Sequence, residues 1–410
     1  MKKLLIISDF IENQPVVASV RYCDLMPYIS KKFFTIVIND EGKGNKKSIY
    51  SNVNFKYNIS KSKFTQRIEL RNKKRNLIET LLRNKLILTI WRNYSNSFYC
   101  FRKKNIGMLK ELDDFLLLNS IEAIFITVPD IHGLYILDYI KRKHIKIPAI
   151  VEVRDILNNK IGGGNPSYTL KNAERILINR ADGIIALSNG IKEYYKKFDT
   201  DKKIRVITNG YNAEDFKDCK YDSINNKNEI TLAHVGSIYK GRNIKDFISA
   251  LIKLSKTSNI NVVFNEVGFL DSEAIKDIEE LSDDIKGSKV KVNILGTMSH
   301  EEAIKYLIEC DISVILTHKI GSEYAIPGKT FEYIGASKPI IAVTKDKNLI
   351  ELIDGKFGEC AEHNVDKIEE KLQKLLKTHY DFENRFQFSR EIESNNIINF
   401  IEEVATNKED

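Results

Sequence analysis

Short apolar runs alternate with longer amphipathic stretches along almost the whole chain. Runs that are apolar on successive positions suit strands buried on both faces of a parallel sheet, and the stretches between them suit the helices that cover it. This alternation restricts the chain to an α/β fold with parallel sheets. Two series are legible. The first runs through KKLLIISD, a helix over 20–30, FFTIVIN, IEAIFITV, a helix over 134–142, IPAIVEV, a helix over 168–180 and ADGIIAL, and it ends at KIRVITNG. Asn209-Gly210 marks a turn there. The second runs through EITLAHVGSIYKGRN, a helix over 244–254, NVVFNEVG, a helix over 272–281, KVNILG, a helix over 300–309 and DISVIL. It continues with a helix over 329–336, PIIAVT and a helix over 365–376.

At ~150 residues per domain, 410 residues make two to three domains. The expected division is a first Rossmann-like domain at 1–210 carrying an insertion at 41–110, a polar linker at 211–228, and a second such domain at 229–384. A helix at 385–410 would return to the first domain. Two facing units of this kind leave a cleft, and open α/β sheets bind ligands beyond the carboxyl ends of their strands.

Charge narrows the partners. The net charge is +8, but residues 41–110 hold 18 Lys and Arg against three Glu, a local +15, so the remainder sums to −7. One basic segment on a mildly acidic protein does not fit a nucleic-acid-binding coat, and nothing else in the chain resembles a nucleic-acid module. Within the segment the cations are interleaved with Phe55, Tyr57, Phe64, Trp91, Tyr94, Phe98 and Tyr99. That mixture suits either a solvated helical insertion with an apolar face or an anionic membrane interface. The five cysteines are widely spaced without ligand patterns, so neither a disulfide framework nor a zinc site is expected. Asp9 closes the first apolar run too early for a signal peptide, and no run is long enough to span a bilayer. The expected location is the cytoplasm, with peripheral contact at the inner face of the plasma membrane left open.

Two loops carry the candidate chemistry. In HVGSIYKGRN (234–243), Gly236 and Gly241 let the backbone approach a ligand, while Lys240 and Arg242 supply a point charge and a bidentate fork for a diphosphate. In EYAIPGKTFEY (323–333), Pro327 and Gly328 lead into a helix, so the amides of Gly328, Lys329 and Thr330 suit a phosphate. Glu332, one turn further in, suits the vicinal hydroxyls of a ribose. In the first series, Glu152, Arg154 and Asp155 close a strand, where they are either a local ion pair or acceptor-site residues. Gly162-Gly163-Gly164-Asn165 follows as a candidate mobile loop. His132 and His144 lack metal-ligand spacing and read as structural or surface residues.

The ordered set resembles the retaining glycosyltransferases of the GT-B fold, family 4. HVGSIYKGRNI and IPGKTFEYIGASKPIIA stand in that family's order, joined by NVVFNEVG and ILGTMSHEEAIKYLIECDISVIL. The N-terminal half is similar in residues 15–21, VEVRDIL, ADGIIALSNGIKEY and VITNGYNAEDF. The resemblance implies two facing Rossmann-like domains and metal-independent transfer of a hexose, without a cofactor, from a nucleoside diphosphate sugar, UDP-linked by expectation. The acceptor would be a lipid-linked or growing bacterial surface glycan, such as a capsule or O-antigen. Lys240 and Arg242 would neutralise the diphosphate, Glu332 would hold the ribose, and Gly236, Gly268, Thr297, Gly328, Lys329 and Thr330 would complete the donor site. Arg21, Glu152, Arg154 and Asp155 fall on the acceptor side, with Asp155 positioning the acceptor hydroxyl. The family often has two Glu with seven residues between them, whereas eight separate Glu323 from Glu332, so Glu323 is not given the first role. A nucleotide-sugar epimerase of the same fold and a non-catalytic partner subunit are the alternatives. The first would carry extra acid/base groups, and the second would lack Lys240, Arg242 and Glu332.

Overall fold

The computed structural model describes residues 1–8, 17–40, 54–57, 85–129, 131–144, 146–157, 167–239, 241–242, 244–319, 324 and 326–406. It divides into two compact units, residues 1–208 with 393–410, and residues 209–392. Lys240, Glu323, Gly162, Gly163, Gly164, Asn165 and most of the basic segment lie outside the described residues.

The first unit holds strands β1 (Lys3–Ile7), β2 (Phe34–Asp40), β3 (Asn54–Tyr57), β4 (Ile121–Val128), β5 (Ala149–Val153), β6 (Gly183–Ala186) and β7 (Lys203–Val206). Their order is β3-β2-β1-β4-β5-β6-β7, and every neighbouring pair is parallel. The helices are α1 (Val17–Lys32), α2 (Lys85–Ser95), α3 (Phe98–Lys104), α4 (Ile106–Leu118), α5 (Ile131–Lys143), α6 (Ser167–Arg180) and α7 (Asn189–Lys196). Successive strand residues point to opposite faces, and the sheet has a core on each. Leu5, Ile7, Ile124 and Ile126 pack with Leu109, Leu112, Leu134 and Leu177 of the helices on one side. Leu4, Ile6, Ala123 and Phe125 pack on the other with Tyr22, Leu25 and Ile29 of α1 and with Ile397, Phe400, Ile401 and Val404 near the C-terminus. Uninterrupted apolar strands are therefore what a sheet covered on both faces requires.

The second unit repeats the plan with β8 (Glu229–Val235), β9 (Asn261–Val267), β10 (Val290–Gly296), β11 (Ile312–Leu316), β12 (Ile340–Val343) and β13 (Gly358–Ala361), in the order β10-β9-β8-β11-β12-β13, again parallel. Its helices are α8 (Ile244–Thr257), α9 (Ser272–Glu280), α10 (Ser282–Lys286), α11 (His300–Glu309), α12 (Lys329–Gly335), α13 (Lys347–Ile353) and α14 (Val365–Leu375). Ser299 and Glu302 cap α11 reciprocally, which fixes where the chain leaving β10 turns back. The last helix, α15 (Arg390–Thr406), starts in the second unit, and from residue 393 it belongs to the first. In the second sheet the strand order reverses at β8, which lies between β9 and β11. The loops leaving β8 and β11 therefore meet at the topological switch point, where such sheets bind ligands.

Two expectations change. The stretch at 211–228 is not a free linker: Tyr211, Phe216 and Ile224 are buried in the core of the second unit, and Tyr211 bridges to Ser389. The Tyr211 ring lies where a Cβ on Gly335 would fall, 2.5 Å from its nearest ring atom, so α12 and the stretch meet only because residue 335 is glycine. Three apolar residues without a helical or strand period gave no signal. The basic segment, in turn, is not wholly an insertion. β3 adds an edge strand to the first sheet, and Phe101 of α3 joins its core.

Candidate active site

The loop leaving β8 begins at Gly236, whose N–H donates to Val267 O at 2.7 Å, while the next loop begins at Gly268 at the end of β9. Both glycines have positive φ, +131° and +150°. Ile238 N–H then donates to Phe269 O at 2.8 Å, so the two loops are tied together by backbone. Arg242 is held on this frame. Its Nη1 donates to Ser237 O at 2.7 Å, its guanidinium lies 4.8 Å from the centre of the Tyr239 ring, and its backbone bridges to His318 beyond β11. Its Nε is buried without a hydrogen-bond partner among the described residues.

Lys329, the first residue of α12, sends its side chain back beneath this loop. Its Nζ meets Nε2 of His234, and a Cβ on Gly236 would lie 3.5 Å from that Nζ. His234 on β8 and Glu266 on β9 are register partners, both wholly buried, with Nδ1 2.8 Å from Oε2. Burial lowers the Lys329 amine to about 7, helped by the positive charge of Arg242 and opposed by Glu266 and Glu332. Burial raises the Glu266 carboxyl to about 8 against the pull of Lys329 and Arg242. His234 is driven well below its usual value by burial, Lys329 and Arg242, so its imidazole is neutral. The switch point thus carries a partly desolvated excess of positive charge, an environment that favours an anion.

Glu332 lies one turn into α12 with its side chain 19% exposed, and its Oε1 is 3.6 Å from Nε2 of His300 at the start of α11. Thr297 is exposed in the loop after β10, which turns at Gly296 with φ +72°. Thr330 departs from expectation. Its N–H donates to Pro327 O at 3.0 Å and closes the first turn, and its hydroxyl is buried, so it offers neither group to a phosphate in this arrangement.

In the first unit, Arg21 and Glu152 are both wholly buried and bonded to each other, Nη2 to Oε2 at 2.9 Å and Nε to Oε1 at 3.3 Å. The Tyr22 hydroxyl also donates to Glu152, and Arg21 Nη1 donates to Thr208 O at 2.9 Å. Arg21 and Glu152, expected on the acceptor side, here use these polar atoms inside the core, on each other, on Tyr22 and on the Thr208 carbonyl. Arg154 and Asp155 are half-buried at the end of β5. The Arg154 guanidinium lies 5.9 Å from the Tyr22 ring centre, and Asp155 Oδ1 accepts from Ile156 N–H at 2.8 Å. His144 Nε2 is 2.9 Å from Asp113, and His132 packs on Phe101 and Tyr135.

Sequence reasoning passed over His234, Glu266 and His300 as functional residues. The readable signal was that LAHV and FNEV each put one ionisable residue next to the last position of a strand, where the parallel register sets them side by side. Among the described residues, no group of three or more His, Cys, Asp and Glu is placed to hold a metal ion, and no helix is long and apolar enough to cross a membrane.

Two doubly wound parallel sheets, the second with a cationic switch point, define a protein built of paired Rossmann-like units. Residues 215–394 match the family of Glycosyl transferases group 1, and residues 108–215 match Glycosyltransferase Family 4. The chain belongs to the group 1 and family 4-like glycosyltransferases of the GT-B fold. An uncharacterized glycosyltransferase of Methanocaldococcus jannaschii is 24% identical over 261 residues, covering 62% of this chain and 62% of the relative, so the match spans less than two thirds of that relative's length. Anabaena HepE, solved in complex with UDP, superposes with a TM-score of 0.60 at 15% identity over 98% of this chain and all of its own. The lipopolysaccharide outer core galactosyltransferase WaaB superposes with a TM-score of 0.59 at 15% identity, covering 98% of this chain and 99% of its own. Trehalose 6-phosphate synthase from Burkholderia multivorans gives 0.63 at 8% identity, with 99% of each chain covered. At such identities these likenesses establish the fold, in agreement with the sequence expectation of two Rossmann-like units.

Proposed function

We propose that the protein is a retaining, metal-independent hexosyltransferase that moves a sugar from a UDP-sugar to a lipid-linked or growing bacterial surface glycan. The observation that carries this reading is that Arg242, bonded to Ser237 O, and Lys329, with its Nζ close to Gly236, both serve the Gly236 loop, with Glu332 one turn away from Lys329 on the same helix. Two partly desolvated basic groups suit a diphosphate whose negative charge grows as the sugar leaves, and groups already held in place need little reorganisation during the reaction. We assign Lys240, two residues before Arg242 in the sequence, as a further diphosphate ligand, and the proposed transfer uses no divalent metal. The Glu332 carboxylate accepts from the ribose hydroxyls, the amides of Gly328 and Lys329 face the phosphates, and Gly236, Gly268 and Thr297 shape the nucleotide pocket. On the acceptor side Asp155 and Arg154 contact the incoming hydroxyl, with Arg21 and Glu152 supporting them from the core. HepE, solved with UDP, and WaaB, a lipopolysaccharide galactosyltransferase by name, support the donor and acceptor classes.

Location follows from α2, where Leu86, Ile90 and Tyr94 form one helical stripe and Trp91 lies beside it, all exposed. Arg102, Lys103 and Lys104 are exposed at the end of α3. Apolar and aromatic groups beside cations suit the headgroup region of an anionic bilayer, so the enzyme works peripherally at the inner face of the plasma membrane. Incubation with a panel of sugar nucleotides and lipid-linked acceptors tests the function. Transfer of label from a UDP-sugar to the acceptor is the expected result. Conversion of the sugar nucleotide without an acceptor, or no turnover of any donor, would overturn it.

A further inference from the structure

We infer that His234 and Glu266 are positioning residues for the Lys329 amine, and that binding of a nucleoside diphosphate here draws one proton from solvent onto that amine. The inference rests on the donor-site reading above. Its foundation is geometric. His234 and Glu266 come from adjacent strands in direct register, both without solvent exposure, and Nε2 of the imidazole meets Lys329 Nζ across the sheet edge. A protonated Lys329 amine can only donate, so the imidazole that meets it keeps its Nε2 lone pair free to accept and carries its proton on Nδ1, on the side of Glu266.

The arrangement is costly for a fold that needs only packing at these positions. Nδ1 of His234 and both Glu266 oxygens have no contact of hydrogen-bond geometry among the described residues, although Nδ1 and Oε2 are 2.8 Å apart. Buried polar groups left in this state destabilise a protein, and apolar strand residues would serve the core better. Perturbed ionisable groups at a ligand-binding edge have a physical rationale as functional residues.

The proton follows from the charges around the amine. Lys329 faces His234 from β8, Glu266 from β9, Arg242 from the loop after β8, and Glu332 and Tyr333 from its own helix, with His300 of α11 beyond Glu332. Burial and the permanent charge of Arg242 hold the amine at about 7, so near neutral pH it is only partly protonated. A diphosphate beside it adds negative charge that outweighs Arg242 and raises the amine's affinity for a proton. Protonation and binding are then linked. Affinity is flat while the free amine is already charged, and it falls as pH rises above about 7. Glu266 supports the charged amine most where its own carboxyl is ionised, above about 8.

The test is calorimetric titration of the full chain with UDP at slightly alkaline pH, in buffers of different ionisation enthalpy. The wild type is expected to take up a substantial fraction of a proton per UDP bound. Lys329→Arg carries a charge that does not titrate, so it should bind UDP with the uptake abolished, and it subtracts any proton carried by the nucleotide itself. Glu266→Gln should match the wild type at about pH 6 and bind several-fold more weakly at about pH 8.5. UDP binding with no proton uptake overturns the inference and leaves the donor site standing, as does a Glu266→Gln loss that is equal at both pH values. Absence of any UDP binding by the wild type defeats the donor-site reading itself.

Discussion

The carbonyl oxygen of Gly236 sits 2.3 Å from where a Cβ on Gly268 would be, so the loops leaving β8 and β9 touch backbone to backbone. No side chain fits between them, and the φ of +150° at Gly268 disfavours one regardless of space. Gly268→Ala must push the Gly236 loop away, and that loop carries Arg242. Overpacking of this kind costs ~1–3 kcal/mol. The expected outcome is a lower melting temperature together with weaker UDP binding, read by thermal melts and calorimetry. A variant that melts and binds like the wild type would show that the two loops are not locked.

Glu332 should discriminate by sugar. A carboxylate that accepts from ribose hydroxyls contributes about 1.5–3 kcal/mol through hydrogen bonds to a charged group, and the contact is lost in Glu332→Ala. UDP affinity should then fall about tenfold or more, since 1.4 kcal/mol is a factor of ten. The preference for UDP over 2′-deoxy-UDP should shrink with it. Calorimetry with both nucleotides reads this directly, and an unchanged ratio would remove Glu332 from the ribose.

The Arg21–Glu152 pair makes a stability prediction with a defined sign. Burial pushes the Glu152 carboxyl up, but the charge and hydrogen bonds of Arg21 and the Tyr22 hydroxyl outweigh burial and hold it below the usual range. A depressed carboxyl stabilises the fold fully above its unfolded value, and the contribution is lost as pH falls through the folded value. Glu152→Gln leaves Arg21 charged and buried without its counter-ion, a change that costs ~3–5 kcal/mol. Denaturant titrations should show that gap near neutral pH and a smaller one in acid. The double change Arg21→Met with Glu152→Leu should recover much of the loss. A gap that does not narrow in acid would count against the ionic account.

Much of the fold is legible in the sequence. The two strand series follow from apolar periodicity alone, because sheets covered on both faces need uninterrupted apolar strands. The switch-point loop was legible because glycines and cations punctuate the chain right after a strand. The Arg21–Glu152 pairing was not, since 130 residues lie between the partners and charges at the end of a strand usually meet water. The burial of Tyr211, Phe216 and Ile224 was hidden for a different reason. Isolated apolar residues in a polar stretch carry no period, and the space that Tyr211 fills is left by a glycine in a distant helix.

The exposed stripe on α2 makes the last prediction. Leu86, Ile90 and Tyr94 fall at successive four-residue steps, so they share one face of the helix, and Trp91 adds an indole that suits the interface between headgroups and acyl chains. Their exposed area gives an attraction that does not depend on salt, while Arg102, Lys103 and Lys104 add one that requires anionic lipid and weakens as salt rises. Co-sedimentation should therefore show binding to vesicles containing phosphatidylglycerol that exceeds binding to phosphatidylcholine vesicles and declines with added salt. Ile90→Ser combined with Trp91→Ser should weaken binding to both vesicle types, because each buried CH₂ contributes ~0.8 kcal/mol. Melting temperature should fall only modestly, since Ile90 is 61% and Trp91 45% exposed. A double variant that binds as tightly as the wild type would mean that α2 does not face a membrane, and equal binding to the two vesicle types would remove Arg102, Lys103 and Lys104 from the contact.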